Sequence, residues 1–253
     1  MKQIPNLFTL LNLVFGCLAI ILILQTGETL VTQHEGTWIA QLPEKIWWGS
    51  ICIGIAAIID FLDGFVARLF KAESAMGKEL DSLADIVSFG VAPGMILYQL
   101  LRISYISEES ALDTTVWAIL PALIFPCAGA YRLARFNTDT RQEFGFRGVP
   151  IPAAGLVVAS LPLILLYNYF GLTPILLNKW LLYAVIVVLS YLMISNLSLM
   201  AFKFKDFSVQ NNLPKIIFLV LAILSAIFLQ WLSVPVIFII YILLSLAFKN
   251  KIA

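Results

Sequence analysis

Long apolar runs separated by short polar segments dominate the chain, and most runs have the length of one membrane crossing. A spanning helix needs about 20 mainly apolar residues. Eight runs meet or approach that length: 5–25, 46–69, 78–101, 115–137, 151–170, 179–201, 213–230 and 233–248. The last two require a turn at residues 230–233, and without it the count falls to six or seven. In lipid, backbone polar groups must be satisfied within the span, and long apolar runs therefore predict helices. The expected fold is all-α: a polytopic transmembrane helix bundle of about eight spans. No internal repeat or low-complexity segment interrupts the pattern.

Composition agrees. Of 253 residues, 61% are hydrophobic and 12% charged, with mean hydropathy +0.95. Soluble domains carry about 25% charged residues. A net charge of +1 gives no basis for a nucleic-acid partner. The placement of charge is more informative. With the N-terminus inside, only Lys45, Arg102 and Lys179 fall on the outer side, which leaves 13 of the 16 basic residues on the cytoplasmic side. Basic residues in short loops mark that side, and both termini are expected to be cytoplasmic. Lys2 leads straight into the first apolar run, and no cleavable signal is expected. Cys17, Cys52 and Cys127 lie in apolar runs without metal-site spacing and read as small buried hydrophobes. The lone His34 falls in a polar loop and reads as a solvated residue.

Four aspartates break this apolar pattern. The second run ends Asp60-Phe-Leu-Asp63-Gly64-Phe-Val-Ala67-Arg68, and the third opens Gly77-Lys-Glu-Leu-Asp81-Ser-Leu-Ala-Asp85. A carboxylate at membrane depth costs roughly 2.5–3.5 kcal/mol on insertion scales. Spacings of three and four residues put each pair on one helical face. Antiparallel neighbours joined by a short loop would bring both pairs into one volume at the cytoplasmic surface. Like charges this close repel, and two Mg²⁺ or Mn²⁺ ions would relieve the repulsion while leaving positions open for phosphate. Gly64 and Ala67 keep one wall shallow, Arg68 is a natural phosphate partner, and Gly77 opens a helix whose free amides favour an anion. The alternatives are a proton or ion pathway, or a structural pairing with Arg68.

Asp60-x2-Asp63-Gly64-x2-Ala67-Arg68-x8-Gly77-x3-Asp81-x3-Asp85 resembles the complete signature of the CDP-alcohol phosphatidyltransferases. The resemblance implies one membrane-embedded domain over residues 1–253, two divalent cations and transfer of a phosphatidyl group from a CDP-linked lipid to an alcohol. It assigns the metals to Asp60, Asp63, Asp81 and Asp85, and the general base on the acceptor hydroxyl to Asp85. It places Gly64, Ala67, Arg68 and Gly77 at the CDP site. A homodimer is implied by the resemblance alone.

Flanking runs bear on the acceptor. They are Ile4-Pro5-Asn6-Leu7-Phe8-Thr9-Leu10-Leu11-Asn12, Ser88-Phe89-Gly90-Val91-Ala92-Pro93, Tyr131-Arg132-Leu133-Ala134-Arg135-Phe136-Asn137 and Phe146-Arg147-Gly148-Val149-Pro150-Ile151-Pro152. Together they resemble the bacterial and archaeal membrane-type phosphatidylserine synthases, which implies CDP-diacylglycerol as donor and L-serine as acceptor. Arg132 or Arg135 would grip the serine carboxylate; the alternatives are positive-inside anchoring, lipid-phosphate contact, or the phosphate of an acceptor such as glycerol 3-phosphate or an inositol phosphate. Pro5, Asn6 and Thr9 are candidates for the nucleotide contact, with a helix start or cap as the alternative. Ser195, Asn196 and Ser198 read as helix–helix hydrogen-bonding residues, and the last three spans as scaffold, lipid contact or dimer interface. A cation- or proton-coupled transporter is the competing class, but it would carry polar residues through both halves of the path. The pattern also predicts direct transfer, because it offers a base and no evident separate nucleophile.

Overall fold

The computed structural model describes residues 4–25, 31–34, 37–40, 45–70, 74–106, 115–138, 148–197, 199–200 and 209–248. The first run is helix α1 (Ile4–Leu24), the second α2 (Ile46–Leu69). Between them lies a short antiparallel hairpin, β1 (Val31–His34) with β2 (Thr37–Ala40), in which His34 pairs with Thr37. The solvated loop expected around His34 is therefore partly paired; Val31, Thr32, Thr37 and Ile39 are β-branched and favour extended backbone.

The third run is longer than its apolar core predicts. It comprises α3 (Ala75–Asp85), a π-helical stretch (Ile86–Val91) and α4 (Ala92–Ile106). Pro93 supplies the cause: it has no N–H to donate and its ring crowds the carbonyl four residues back. The ladder widens ahead of it, and the Ala92 N–H reaches the Val87 carbonyl five residues earlier. The fourth run begins as a turn of α5 (Val116–Ile119), tightens to a 3₁₀ turn (Leu120–Leu123) containing Pro121, and continues as α6 (Ile124–Thr138).

The fifth and sixth runs form shorter helices than expected, α7 (Ile151–Tyr167) and α9 (Lys179–Ile194), with one turn of α8 (Thr173–Leu176) between them. Asn168, in the left-handed conformation at φ 40°, ends α7. The predicted 179–201 span stops at Ile194, and Ser195 caps it in extended conformation. Helices α10 (Val209–Leu229) and α11 (Ser233–Ala247) flank a 3₁₀ turn at Gln230–Leu232. The Phe218 and Tyr241 rings meet edge to face at 5.9 Å. Residues nearly equidistant from the turn thus touch, and the chain reverses there as expected.

Among the described residues, five helical stretches are long and apolar enough to cross a bilayer: Pro5–Leu24, Ile46–Leu69, Ala75–Ile106, Val116–Thr138 and Leu213–Ala247. The last contains the α10–α11 hairpin. Adding α7 and α9 gives the eight apolar segments read from the sequence. At 1.5 Å per residue, α7 and α9 each reach about 25 Å, slightly less than a hydrocarbon core of about 30 Å.

The core lies where α1, α2, α4, α6 and α7 surround the π-helical stretch and α9 packs on α4 and α6, with Ile53, Phe89, Leu97, Phe125, Ile151 and Ile186 fully buried. Two glycines allow this. A Cβ on Gly16 would lie 2.9 Å from the Ser88 Cα, and one on Gly155 would lie 2.7 Å from the Phe89 carbonyl oxygen. Small residues let α1 and α7 press on the stretch that follows Asp85. The outer surface carries large apolar side chains such as Phe61, Phe65, Trp117, Ile223 and Phe228. An apolar surface of that extent suits lipid. Cys52 is buried as expected, but Cys17 and Cys127 are exposed on this outer surface, where helix faces point away from the core.

Hydrogen bonds define two ends. Lys45 Nζ donates to Gln25 Oε1 at 3.1 Å, and Gln99 Nε2 to the Ile23 carbonyl at 3.0 Å. The Tyr105 and Tyr183 hydroxyls meet at 2.7 Å at the same end. The starts of α1 and α3 and the ends of α2, α6 and α9 gather at the opposite end, where the aspartates lie.

Candidate active site

Antiparallel α2 and α3 deliver the carboxylates from two directions. Asp60 and Asp63 lie in the penultimate turns of α2, and Asp81 and Asp85 in the second half of α3. One carboxylate oxygen from each of Asp60, Asp63 and Asp81 lies within 4.8 Å of the others. Asp85 lies one turn beyond Asp81 on the same face of α3. Asp63 and Asp85 are 6% and 8% exposed, while Asp60 and Asp81 are half-buried. Asp85 Oδ1 is enclosed without a partner among the described residues. Arg132 is the cation whose charge reaches Asp85. Four carboxyl groups thus share one nearby guanidinium. Clustered hard oxygen donors with an orphaned oxygen beside them are the donor set that divalent cations take, so these residues fit a metal ion.

Helix α1 buttresses the cluster. Thr9, 3% exposed, donates its hydroxyl to Asp63 Oδ2 at 2.8 Å, with the Pro5 carbonyl 3.2 Å away as a second acceptor. Thr9, read from sequence as a nucleotide contact, thus orients a carboxylate. Asn6 meets the first turn of α3: a Cβ on Gly77 would lie 3.2 Å from Asn6 Oδ1. The free amide expected at Gly77 is occupied. Helix α3 starts two residues earlier, Ser74 caps it, and the Gly77 N–H donates to Ser74 Oγ at 3.0 Å. At Gly64 a Cβ would meet nothing within 4 Å. Arg68 projects, exposed, from the last turn of α2, and Ala67 is half-buried beside it.

The two arginines of α6 part company. Arg132 is 8% exposed, near enough for its charge to act on Asp85, and lies over the Phe136 ring at 5.5 Å, with its Nε unpartnered among the described residues. Arg135 turns to the end of α9, donating to the Ile194 carbonyl at 3.1 Å and to Asn196 Oδ1. Asn137 Nδ2 donates to Ser82 Oγ at 2.9 Å and ties α6 to α3 beside Asp81. The Gly148-Val149-Pro150 run docks on the same end of α9. The Gly148 N–H donates to Leu197 O and the Val149 N–H to Leu192 O, both at 3.0 Å. Gly148 has φ +74°, and a Cβ there would lie 2.5 Å from the Met193 carbonyl oxygen, so only glycine fits without strain.

Sequence reasoning assigned no role to Asn12. Its side chain is fully enclosed, both amide atoms lack partners among the described residues, and its carbonyl accepts from Ser88 Oγ at 3.1 Å. Its place one turn after Thr9 in an apolar helix was the available signal. Phe146 and Arg147 lie outside the described residues.

The chain matches the CDP-alcohol phosphatidyltransferase family over residues 2–191. It belongs to that family of membrane phosphotransferases. It is similar to the CDP-diacylglycerol–serine O-phosphatidyltransferase of Helicobacter pylori, with 39% identity over 175 residues, covering 68% of this chain and 67% of that protein. The Bacillus subtilis protein of the same name is 34% identical over 185 residues, covering 71% and 89%. An archaetidylserine synthase of Methanothermobacter thermautotrophicus is 31% identical over 159 residues, covering 62% and 56%.

Proposed function

We propose that this enzyme transfers the phosphatidyl group of CDP-diacylglycerol to the hydroxyl of L-serine, giving phosphatidylserine and CMP, at the cytoplasmic face of a prokaryotic membrane. The observation that carries the reading is the convergence of Asp60, Asp63, Asp81 and Asp85 with the buried Arg132. The relatives named for serine transfer support the acceptor. The excess of basic residues at the aspartate end supports the cytoplasmic face. In this reading all eight apolar segments cross or enter the bilayer, with both termini inside. The α10–α11 hairpin belongs to the same unit as the rest, and a second copy of the chain is a proposed partner.

Asp60, Asp63, Asp81 and Asp85 would hold two divalent cations, Mg²⁺ or Mn²⁺. Bound there, such ions neutralise the diphosphate and the charge that develops on the leaving CMP oxygen. Gly64 leaves open the wall along which the nucleotide head approaches, with Ala67, Arg68, Gly77 and Asn6 around it. Arg132 holds the serine carboxylate through a charge-assisted pair. Asp85 accepts the serine hydroxyl proton as that oxygen attacks the phosphatidyl phosphorus. The phosphorus–oxygen bond to CMP breaks, and CMP leaves with that oxygen. A carboxylate is a weak base for a hydroxyl, and positioning therefore contributes most of the rate.

The test is CMP release by purified protein from CDP-diacylglycerol, with serine, glycerol 3-phosphate or no acceptor. Release with serine alone is expected. Release with glycerol 3-phosphate alone would keep the chemistry and reject the acceptor. The Thr9 contact gives a subtler expectation. Thr9→Val keeps the shape of the side chain and removes the donor to Asp63. It should lower divalent-cation affinity or the rate about 10–100-fold, as loss of partners to metal-binding groups does elsewhere. A cation titration of CMP release checks it, and a wild-type curve would refute the orienting role.

A further inference from the structure

The family match ends at residue 191, and the chain beyond it holds the segment following α9 and the α10–α11 hairpin. Residues 195–197 and 199–200 run without helix. Leu199 and Met200 are nevertheless 2% exposed, so their backbone groups need partners within the protein.

The segment is held from both sides. On the side of the active site it receives the Gly148 N–H at the Leu197 carbonyl and the Arg135 guanidinium at Ile194 and Asn196. On the far side, helix α11 takes both backbone groups of Met200. The Met200 N–H donates to Ser245 Oγ at 3.1 Å, and the Tyr241 hydroxyl donates to the Met200 carbonyl at 2.9 Å. Ser245, fully buried, donates in turn to the Tyr241 carbonyl at 2.7 Å. Contacts at Met200 therefore link α11 to the stretch whose residues 194 and 196 hold Arg135, and Arg132 stands one helical turn away on α6.

We propose that Tyr241 and Ser245 are positioning residues for the acceptor: they clamp the 195–200 segment, which anchors Arg135 and so sets the end of α6 that presents Arg132. This rests on the acceptor role of Arg132 proposed above. The hairpin thus shapes the alcohol side of the site, while the CDP-lipid side depends on α1, α2 and α3.

Full-length Tyr241→Phe, Ser245→Ala and the double variant test the proposal, with Arg132→Lys alongside. The readouts are KM for serine, KM for CDP-diacylglycerol, kcat and the thermal unfolding midpoint. The double variant should raise the serine KM about 5–10-fold, as loosened positioning of one substrate does. The CDP-diacylglycerol KM should stay within about twofold of wild type, and Ser245→Thr, which keeps the hydroxyl, should recover the serine KM. An unchanged serine KM in folded double variant overturns the clamp, as does a joint shift of both KM values with a lowered midpoint. If Arg132→Lys leaves the serine KM unmoved, the acceptor reading itself fails. If it raises that KM and the hairpin variants do not, only the clamp falls.

Discussion

Replacing Asp85 by Asn should lower phosphatidyl transfer about 10²–10⁴-fold, the range that a positioned general base contributes, while the protein stays folded in the membrane. The substitution is nearly isosteric, so packing against the π-helical stretch survives. It replaces the carboxylate that would take the acceptor proton by an amide, which is no base, at a place where one oxygen is enclosed without a partner among the described residues. Asp85 also stands among the other three carboxylates with Arg132 as the opposing charge. Removing one of four crowded carboxyl groups removes a source of repulsion. In divalent-free detergent, the Asp85→Asn variant should therefore unfold at the same temperature as wild type or higher. Lost activity with retained or increased stability is the trade-off expected of a site built for chemistry. Wild-type CMP release from the variant would remove Asp85 from the mechanism. A collapse in stability would instead mark it as a structural residue.

Legibility of this protein from its sequence divides along physical lines. The aspartates were readable because an ionised group in an apolar helix is costly wherever the chain folds, and helical periodicity fixes which of them share a face. The helices were readable for a related reason, since bilayer thickness sets their length. The 230–233 turn follows from length alone, and the Phe218–Tyr241 contact bears it out. Properties that depend on distant residues were not readable. Arg132 and Arg135 are equivalent in sequence, three residues apart at one helix end. The fold buries the first within reach of the charge of Asp85 and turns the second to α9, because they point about 60° apart around α6 and different helices pack on each side. Gly77 was read as an open anion site, but Ser74, which lay outside the motif, caps the helix there. The π-helical stretch needed Pro93 to be weighed against a helix continuing past it. Asn12 and the Met200 clamp depend on partners from other segments, and no local pattern encodes them.

Removing divalent cations should abolish transfer, and restoring Mg²⁺ or Mn²⁺ should return it. Three carboxylate oxygens within 4.8 Å of one another, on two helices that both pack against α1, constitute a preformed anionic cradle. Its only nearby compensation among the described residues is Arg132, which the proposed reaction needs for the acceptor. Activity loss on chelation could arise from the substrate, because a diphosphate also binds divalent cations. Stability gives a readout independent of substrate. A cation that binds the folded state alone stabilises it by about 2.7 kcal/mol at a hundred times its dissociation constant. Wild-type protein without substrate should therefore unfold at a higher temperature when Mg²⁺ or Mn²⁺ is added. The rise should largely vanish in Asp60→Asn/Asp81→Asn, which keeps the side-chain volumes and removes a ligand from each helix. An equal rise in that variant would place the cations elsewhere. No rise in wild type, with full activity after chelation, would end the metal reading and leave basic side chains such as Arg132 and Arg68 to meet the diphosphate.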